Sequence, residues 1–315
     1  MNRNLKIFGL ITVFLNIVYL IWLSQNTVGI LGFSLFLAEA LLASLTFLFM
    51  FNHWTQKKHH LVKINPQHEP KLDVFLTVVN EPLNIFEETL SAAIAIDYGN
   101  KTVYVLDDGS RDDIKDVAQK HGATYLSRPE KIHSKAGNLN YGMANSNGEF
   151  ILVIDADQIA EPNIAKDLVG YFESDHKLAM VTTRQSFIVP DDDFNHDILF
   201  YEHMQPGKNA DNSAISCGSG VIYRRSAIEH IEGFQTWNVV EDLYTTYILH
   251  SKNYTSYYVN KSYTRGTAPQ DLSNIYKQRG TWALDTLRMF FRKSPFIKRG
   301  LSFRQRMHYI ELSWA

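Results

Sequence analysis

The sequence predicts an α/β protein with a mostly parallel sheet, preceded by a hairpin of two membrane-crossing helices. Three observations carry this. Short, β-branched apolar runs alternate with helical stretches between residues 72 and 260. Two long apolar segments occupy most of the first fifty residues. The acidic residues of greatest chemical interest stand where the apolar runs stop. A length of 315 residues fits about two domains. The net charge of −2 gives no reason to expect a nucleic-acid partner. Cys217 is the only cysteine, so no intramolecular disulfide can form. A mean hydropathy of −0.19 is ordinary for a soluble chain and conceals the apolar start.

Residues 7–23 read IFGLITVFLNIVYLIWL and residues 28–51 read VGILGFSLFLAEALLASLTFLFMF. Each approaches the roughly 20 apolar residues that cross a bilayer. The joint SQNT is short, so the pair forms an antiparallel hairpin. No small-residue cleavage site follows the first segment and a second span comes directly after, which argues against a signal peptide. Arg3 and Lys6 precede the hairpin and Lys57, Lys58 and Lys63 follow it, so both ends are expected in the cytoplasm. The expected location is therefore the cell membrane, multi-pass, with the α/β part cytoplasmic. Glu39 lies inside the second span, where an acid marks either a functional group or a contact with another helix.

The expected divisions are a helical hairpin over 1–55, a linker over 56–70, an α/β domain over 71–270 and a C-terminal region over 271–315. In the α/β domain LDVFLTVV, TVYVLD, EFILVID, LAMVTTRQ and GVIYR read as buried strands. PLNIFEETLSAAIAI, DDIKDVAQKHG, SKAGNLNYGMANS and PNIAKDLVGYFES read as helices. The C-terminal run FRKSPFIKRGLSFRQRMHYIELSWA mixes basic and aromatic residues, the composition of a segment lying on an anionic lipid bilayer. Its last residues resemble the beginning of a further span.

In sheets of this kind ligands bind at the carboxyl ends of the strands. Asp107 and Asp108 end one predicted strand, and Asp155 and Asp157 end another, so both clusters fall on one rim. Helix caps or turns explain one such cluster. The i, i+2 spacing of Asp155 and Asp157 sends both carboxylates the same way in extended chain, so something positive is expected between them: a metal ion, a lysine, or only water. Mg2+ or Mn2+ suits oxygen ligands completed by phosphates. Lys135, in a small-residue turn ahead of a helix, suits a phosphate as well. Glu241 and Asp242 begin an amphipathic helix, where acids are favoured in any case.

Seven short motifs in order, NEP, LDDGS, HSKAGNLN, DAD, SCGSG, VED and QRGTW, give the chain its resemblance to the processive, membrane-embedded family 2 glycosyltransferases, the cellulose synthase and hyaluronan synthase group. That resemblance covers roughly residues 70 to 312 and implies a GT-A fold acting on a UDP-sugar donor and a polysaccharide acceptor, with further synthase subunits as candidate partners. It implies nucleotide-sugar binding by Glu81, Asp107, Asp108, Lys135 and Asp155, and a metal held by Asp155 and Asp157. It implies Asp242 as the general base, and acceptor binding by Cys217, Gly218, Glu241, Gln278, Arg279 and Trp282. It also implies an interfacial helix and the first part of a channel helix near the chain's end. The chain departs from the family pattern at Thr281, where an arginine precedes the tryptophan, and at Val78-Val79, where TYNE is usual. Both departures point to a branch with altered acceptor geometry or linkage. Two other readings stay open from sequence: transfer of a single sugar to a polyprenyl phosphate, and a non-catalytic nucleotide-binding subunit.

Overall fold

A computed structural model describes residues 3–54, 69–190, 193–269 and 271–314. Helices α1 (Arg3–Asn26) and α2 (Gly29–His53) come first. The α/β part then runs β1 (Leu72–Val78), α3 (Leu83–Ile94), β2 (Lys101–Asp107), α4 (Asp112–Lys120), β3 (Thr124–Leu126), α5 (Ser134–Ala144), β4 (Phe150–Asp155) and β5 (Gln158–Ala160). It continues with α6 (Ile164–Leu168), β6 (Leu178–Phe187), α7 (Gln205–Ala210), β7 (Val221–Arg224), α8 (Arg225–His230), α9 (Glu241–Ser251) and β8 (Thr255–Gly266). Helices α10 (Leu272–Arg292) and α11 (Phe303–Trp314) complete the described chain.

The eight strands form one sheet in the order β3-β2-β1-β4-β7-β6-β8-β5. Its first four strands are parallel, as the strand–helix alternation predicts. The second half is mixed: β7 runs antiparallel to both β4 and β6, β8 lies parallel to β6, and β5 is antiparallel to β8. Three strands escape the sequence pattern. β3 and β5 are three residues each. β8 carries Asn260 and Lys261 on exposed positions and shifts register against β6, which blurs its period-two alternation.

Every residue of β1 is buried, because helices cover both faces of the sheet there. Leu72, Val74, Leu76 and Val78 pack with Phe86 and Leu90 of α3 and Ile114 of α4. Phe75 faces the other way, toward Leu139 of α5, Ile228 of α8 and Leu249 of α9. Helix α9 also packs through Leu243 and Tyr247 on Met289 of α10 and Tyr309 of α11. It thus joins the sheet to the C-terminal helices.

Both α1 and α2 are long and apolar enough to cross a membrane. Their side chains are largely uncovered, with Phe8 68% and Leu31 86% exposed. The linker and Lys57, Lys58 and Lys63 fall outside the described residues, apart from positions 69 and 70.

Buried Asp73 on β1 meets Arg225 at the start of α8 at 2.7 Å and also accepts the Gly148 N–H. Removing one member leaves a charge in the core. Asp73→Ala is expected to lower the unfolding free energy by about 3–5 kcal/mol. Thermal or denaturant unfolding of the variant would measure this.

Candidate active site

Strand register decides what shares the rim. Thr77 pairs with Asp155 across β1 and β4, and Val78 pairs with Asp107 across β1 and β2. Beyond these positions opens a cavity of about 570 Å³ lined by Glu81, Asp108, Lys135, Asn138, Asp155 and Asp157, among others.

The neighbouring aspartates of the first cluster do different work. Asp107 is fully buried and outside the cavity lining. Its Oδ1 accepts the Gly109 N–H at 2.6 Å, and its Oδ2 accepts the Arg111 N–H at 2.7 Å and the Tyr125 hydroxyl at 2.8 Å. It holds the turn that presents Asp108. Asp108 faces the cavity and takes two 2.7 Å hydrogen bonds from Arg128, a bidentate pair. Glu81 accepts the Val79 N–H at 2.7 Å through Oε2 and lines the same space. Asn138 donates to the Leu106 carbonyl at 2.8 Å, while its buried Oδ1 has no partner.

Lys135 stands at the start of α5 with His133 and Ser134 just before it, both at positive φ (65° and 45°). Its Nζ lies 2.5 Å from Asp155 Oδ1, donates to the Gly218 carbonyl at 2.9 Å and lies 3.7 Å from Glu241 Oε1. Burial alone would depress its pKa, but Asp155, Glu241 and Asp242 outweigh burial and raise it. The positive partner of Asp155 is therefore a lysine. Among the described residues Asp157 has no such partner: Thr267 Oγ1 donates to its Oδ2 at a long 3.4 Å. Burial and then the charge of Asp155 push its carboxyl up to about 6. A cation reverses that penalty, and Asp155 with Asp157 offers only hard oxygen donors, the set that suits Mg2+ or Mn2+.

Glu241 and Asp242 open α9. Burial raises the pKa of Glu241 despite Lys135. Burial, and then Glu241, push Asp242 up to about 7, with Lys135 opposing them. Asp242 Oδ1 accepts the Leu243 N–H at 2.7 Å. Gly218 separates Asp242 from Lys135. At φ +82° it occupies the left-handed region, and a Cβ there would stand 3.1 Å from Asp242 Oδ2 and 3.2 Å from Lys135 Nζ. Only glycine satisfies both constraints. The Cys217 carbonyl accepts from Gln185 Nε2 at 2.7 Å, and its thiol is pushed up to about 12 by burial first and Asp242 second, so it stays neutral.

The structure does not bring Gln278, Arg279 and Trp282 to the cavity lining. All lie on α10, with Gln278 and Trp282 exposed. Arg279 is engaged by Asp197, 2.9 and 3.1 Å from its two carboxylate oxygens, and lies 6.0 Å from the Trp282 ring. The residue of α10 that reaches the site's framework is one that sequence reasoning missed. Asp285, almost fully buried, accepts the Val240 N–H at 2.9 Å and pairs with Arg288 at 2.9 Å, and its carbonyl accepts from Asn238 at 3.3 Å. It braces the chain immediately before Glu241. Arg128 was missed as well, because SRPE matches no motif and only the fold carries it to Asp108.

A half-parallel, half-mixed sheet with an acidic cavity at its strand ends is the GT-A arrangement of nucleotide-sugar transferases. Residues 73–232, half of the chain, match Glycosyl transferase family 2, and the chain belongs to that family. It is 32% identical over 98% of its length to the cellulose synthase 1 catalytic subunit (UDP-forming) of Komagataeibacter xylinus, and spans 44% of that protein. It is 33% identical over 92% of its length to the corresponding subunit of Pseudomonas fluorescens strain SBW25, spanning 42% of it. The chain thus covers under half the length of these relatives. Among solved structures, a mannosyltransferase from Pyrobaculum calidifontis in complex with GDP-mannose and Mn2+ superposes with a TM-score of 0.71 over 86% of this chain and 79% of the other, at 20% identity, a likeness of fold.

Substitutions at two positions probe the framework. Gly218→Ala costs roughly 1–2 kcal/mol in backbone strain and displaces Lys135 or Asp242. It should abolish activity while the protein still folds, as circular dichroism and turnover assays would show. Asp285→Ala leaves the Val240 N–H unpaired, and turnover should fall with little change in donor KM. Asp285→Asn, which still accepts that N–H, should restore most of the turnover, whereas a purely structural role would show as equal loss of stability in both.

Proposed function

We propose that this chain is the donor-binding and catalytic part of a membrane-bound inverting glycosyltransferase that moves a sugar, glucose being the first candidate, from a UDP-sugar to the growing end of a β-linked polysaccharide. The observation that carries the reading is the convergence of Lys135 and Asp155, which line the cavity, with Asp242, which stands across Gly218 from Lys135 and outside the lining. The UDP-forming cellulose synthase relatives support the donor and product class.

A donor nucleotide sits along the rim, with Asp108 and the unpaired Asn138 Oδ1 offering acceptors to its hydroxyl or N–H groups. Lys135 stands beside Asp155, where the diphosphate charge grows as the sugar leaves. Asp155 and Asp157 would hold Mg2+ or Mn2+, which when bound adds charge stabilisation for the departing UDP. Asp242 accepts the proton of the attacking hydroxyl. Its raised pKa brings the carboxylate close to the strength that a base working near neutrality needs. One displacement inverts the anomeric centre, so an α-linked donor yields a β-linked product. In this reading the apolar hairpin is the anchor that keeps the catalytic domain at the cytoplasmic face of the cell membrane, a location that the length of α1 and α2 supports.

The test is incubation of the membrane-embedded protein with separately labelled UDP-sugars, followed by linkage analysis of the product. A chain of several sugars supports the reading; a single sugar on lipid, or no release of UDP, defeats it. Asp242→Asn should abolish transfer and leave UDP binding intact. Because the base acts when deprotonated, turnover should rise with pH through about 7, with activity lost on the acid side. A flat profile from pH 6 to 8 would exclude Asp242 as the base.

A further inference from the structure

A second cluster of ionisable side chains lies where α2 meets α11, apart from the nucleotide cavity. His53 Nε2 is 2.7 Å from Glu311 Oε1, and Asn52 Nδ2 donates to Glu311 Oε2 at 2.7 Å. His308 Nδ1 faces Glu311 Oε2 at 3.5 Å and makes no hydrogen bond. All three, His53, His308 and Glu311, are buried, at 6%, 1% and 4% exposure.

The tautomer of His308 makes this cluster unusual. Its Nε2 lies 2.9 Å from Asp211 Oδ2, and Asp211 is a carboxylate already paired with Arg304 at 2.7 Å. Nε2 must therefore be the protonated nitrogen. If the ring is neutral, Nδ1 presents a bare lone pair to a carboxylate oxygen, two acceptors face to face. His53 Nε2 converges on the same carboxylate, and one ligand atom from each of the three residues falls within 4.8 Å of the others. At metal bond lengths of about 2.0–2.2 Å, tetrahedral donors stand about 3.3–3.6 Å apart. His308 Nδ1, 3.5 Å from Glu311 Oε2, already has that spacing, whereas His53 Nε2 is drawn to 2.7 Å from the other oxygen, Oε1, the length of a hydrogen bond that an ion would replace.

We propose that His53, His308 and Glu311 form a transition-metal site that fastens the end of membrane helix α2 to helix α11. Two imidazoles and one carboxylate suit Zn2+ and discriminate against Mg2+. The Asp211–His308 hydrogen bond is the outer support that orients a metal-binding imidazole and fixes its tautomer. Gly207 of α7 makes room for the His53 ring, since a Cβ there would collide with Nδ1. Lys208 Nζ stands 3.9 Å from Glu311 Oε2 and donates to the His308 carbonyl at 3.0 Å. It is the positive charge with which the ion competes. The site shares no residue with the cavity, so it is structural and leaves the donor site's own cation independent.

The whole chain, purified in detergent, stripped with a chelator and dialysed against Zn2+, should retain one zinc per chain by elemental analysis, with a raised Tm. His308→Ala should lose that zinc; if it does not fold, His53→Gln serves in its place. Asp211→Asn should weaken zinc binding by about 10–100-fold. The double variant Asp155→Asn, Asp157→Asn should keep the zinc, which separates this site from the nucleotide cavity. Wild-type protein that holds no more zinc than His308→Ala would overturn the proposal and leave a proton in the ion's place. Loss of the zinc from the Asp155, Asp157 double variant would overturn it equally.

Discussion

The site depends on one half-buried ammonium. Lys135 is drawn at once to Asp155 at the end of β4, to the carbonyl of Gly218 ahead of β7, and to Glu241 at the start of α9. Carboxylates from separate elements can approach one another in a partly dry site only when a positive charge stands among them. That charge also explains why Asp155 and Asp157, neighbours in sequence, have different surroundings. Asp155 is compensated by lysine, whereas no lysine or arginine among the described residues pairs with Asp157.

The helices that follow the sheet are braces for this arrangement. Asp285 of α10 holds the chain entering α9. At the far end of α9, His250 hydrogen-bonds Tyr309 of α11 at 2.7 Å and Ser256 of β8 at 2.9 Å. Burial lowers the pKa of His250 to about 3, so this is a neutral link that does not respond to physiological pH. Helix α9 is thereby gripped at both ends, by α10 at its start and at its far end by α11, which also packs on α2. The acids at its start are as well positioned as α10 and α11 allow.

The departure at Thr281 acquires a local meaning. Thr281 donates to the Lys277 carbonyl one turn back and carries no charge, while Arg279 is committed to Asp197. The helix therefore presents Trp282 and Gln278 on an exposed face, with its nearest arginine tied away from the cavity.

Periodicity alone determined the hairpin, the parallel half of the sheet and the common rim of Asp107, Asp108, Asp155 and Asp157, because strand ends and apolar runs are local patterns. The ordered motifs went further and pointed to family 2. Tertiary structure alone decided which aspartate faces the cavity and which builds the turn, since that depends on Tyr125 and Arg128, distant in sequence from Asp107 and Asp108. It also decided that a lysine partners Asp155, that Asp285 supports α9, and that His53 meets Glu311 some 250 residues later. No spacing rule reaches these pairings. They arise where separate helices and strands close on one another, and their energies come from desolvated charges finding partners.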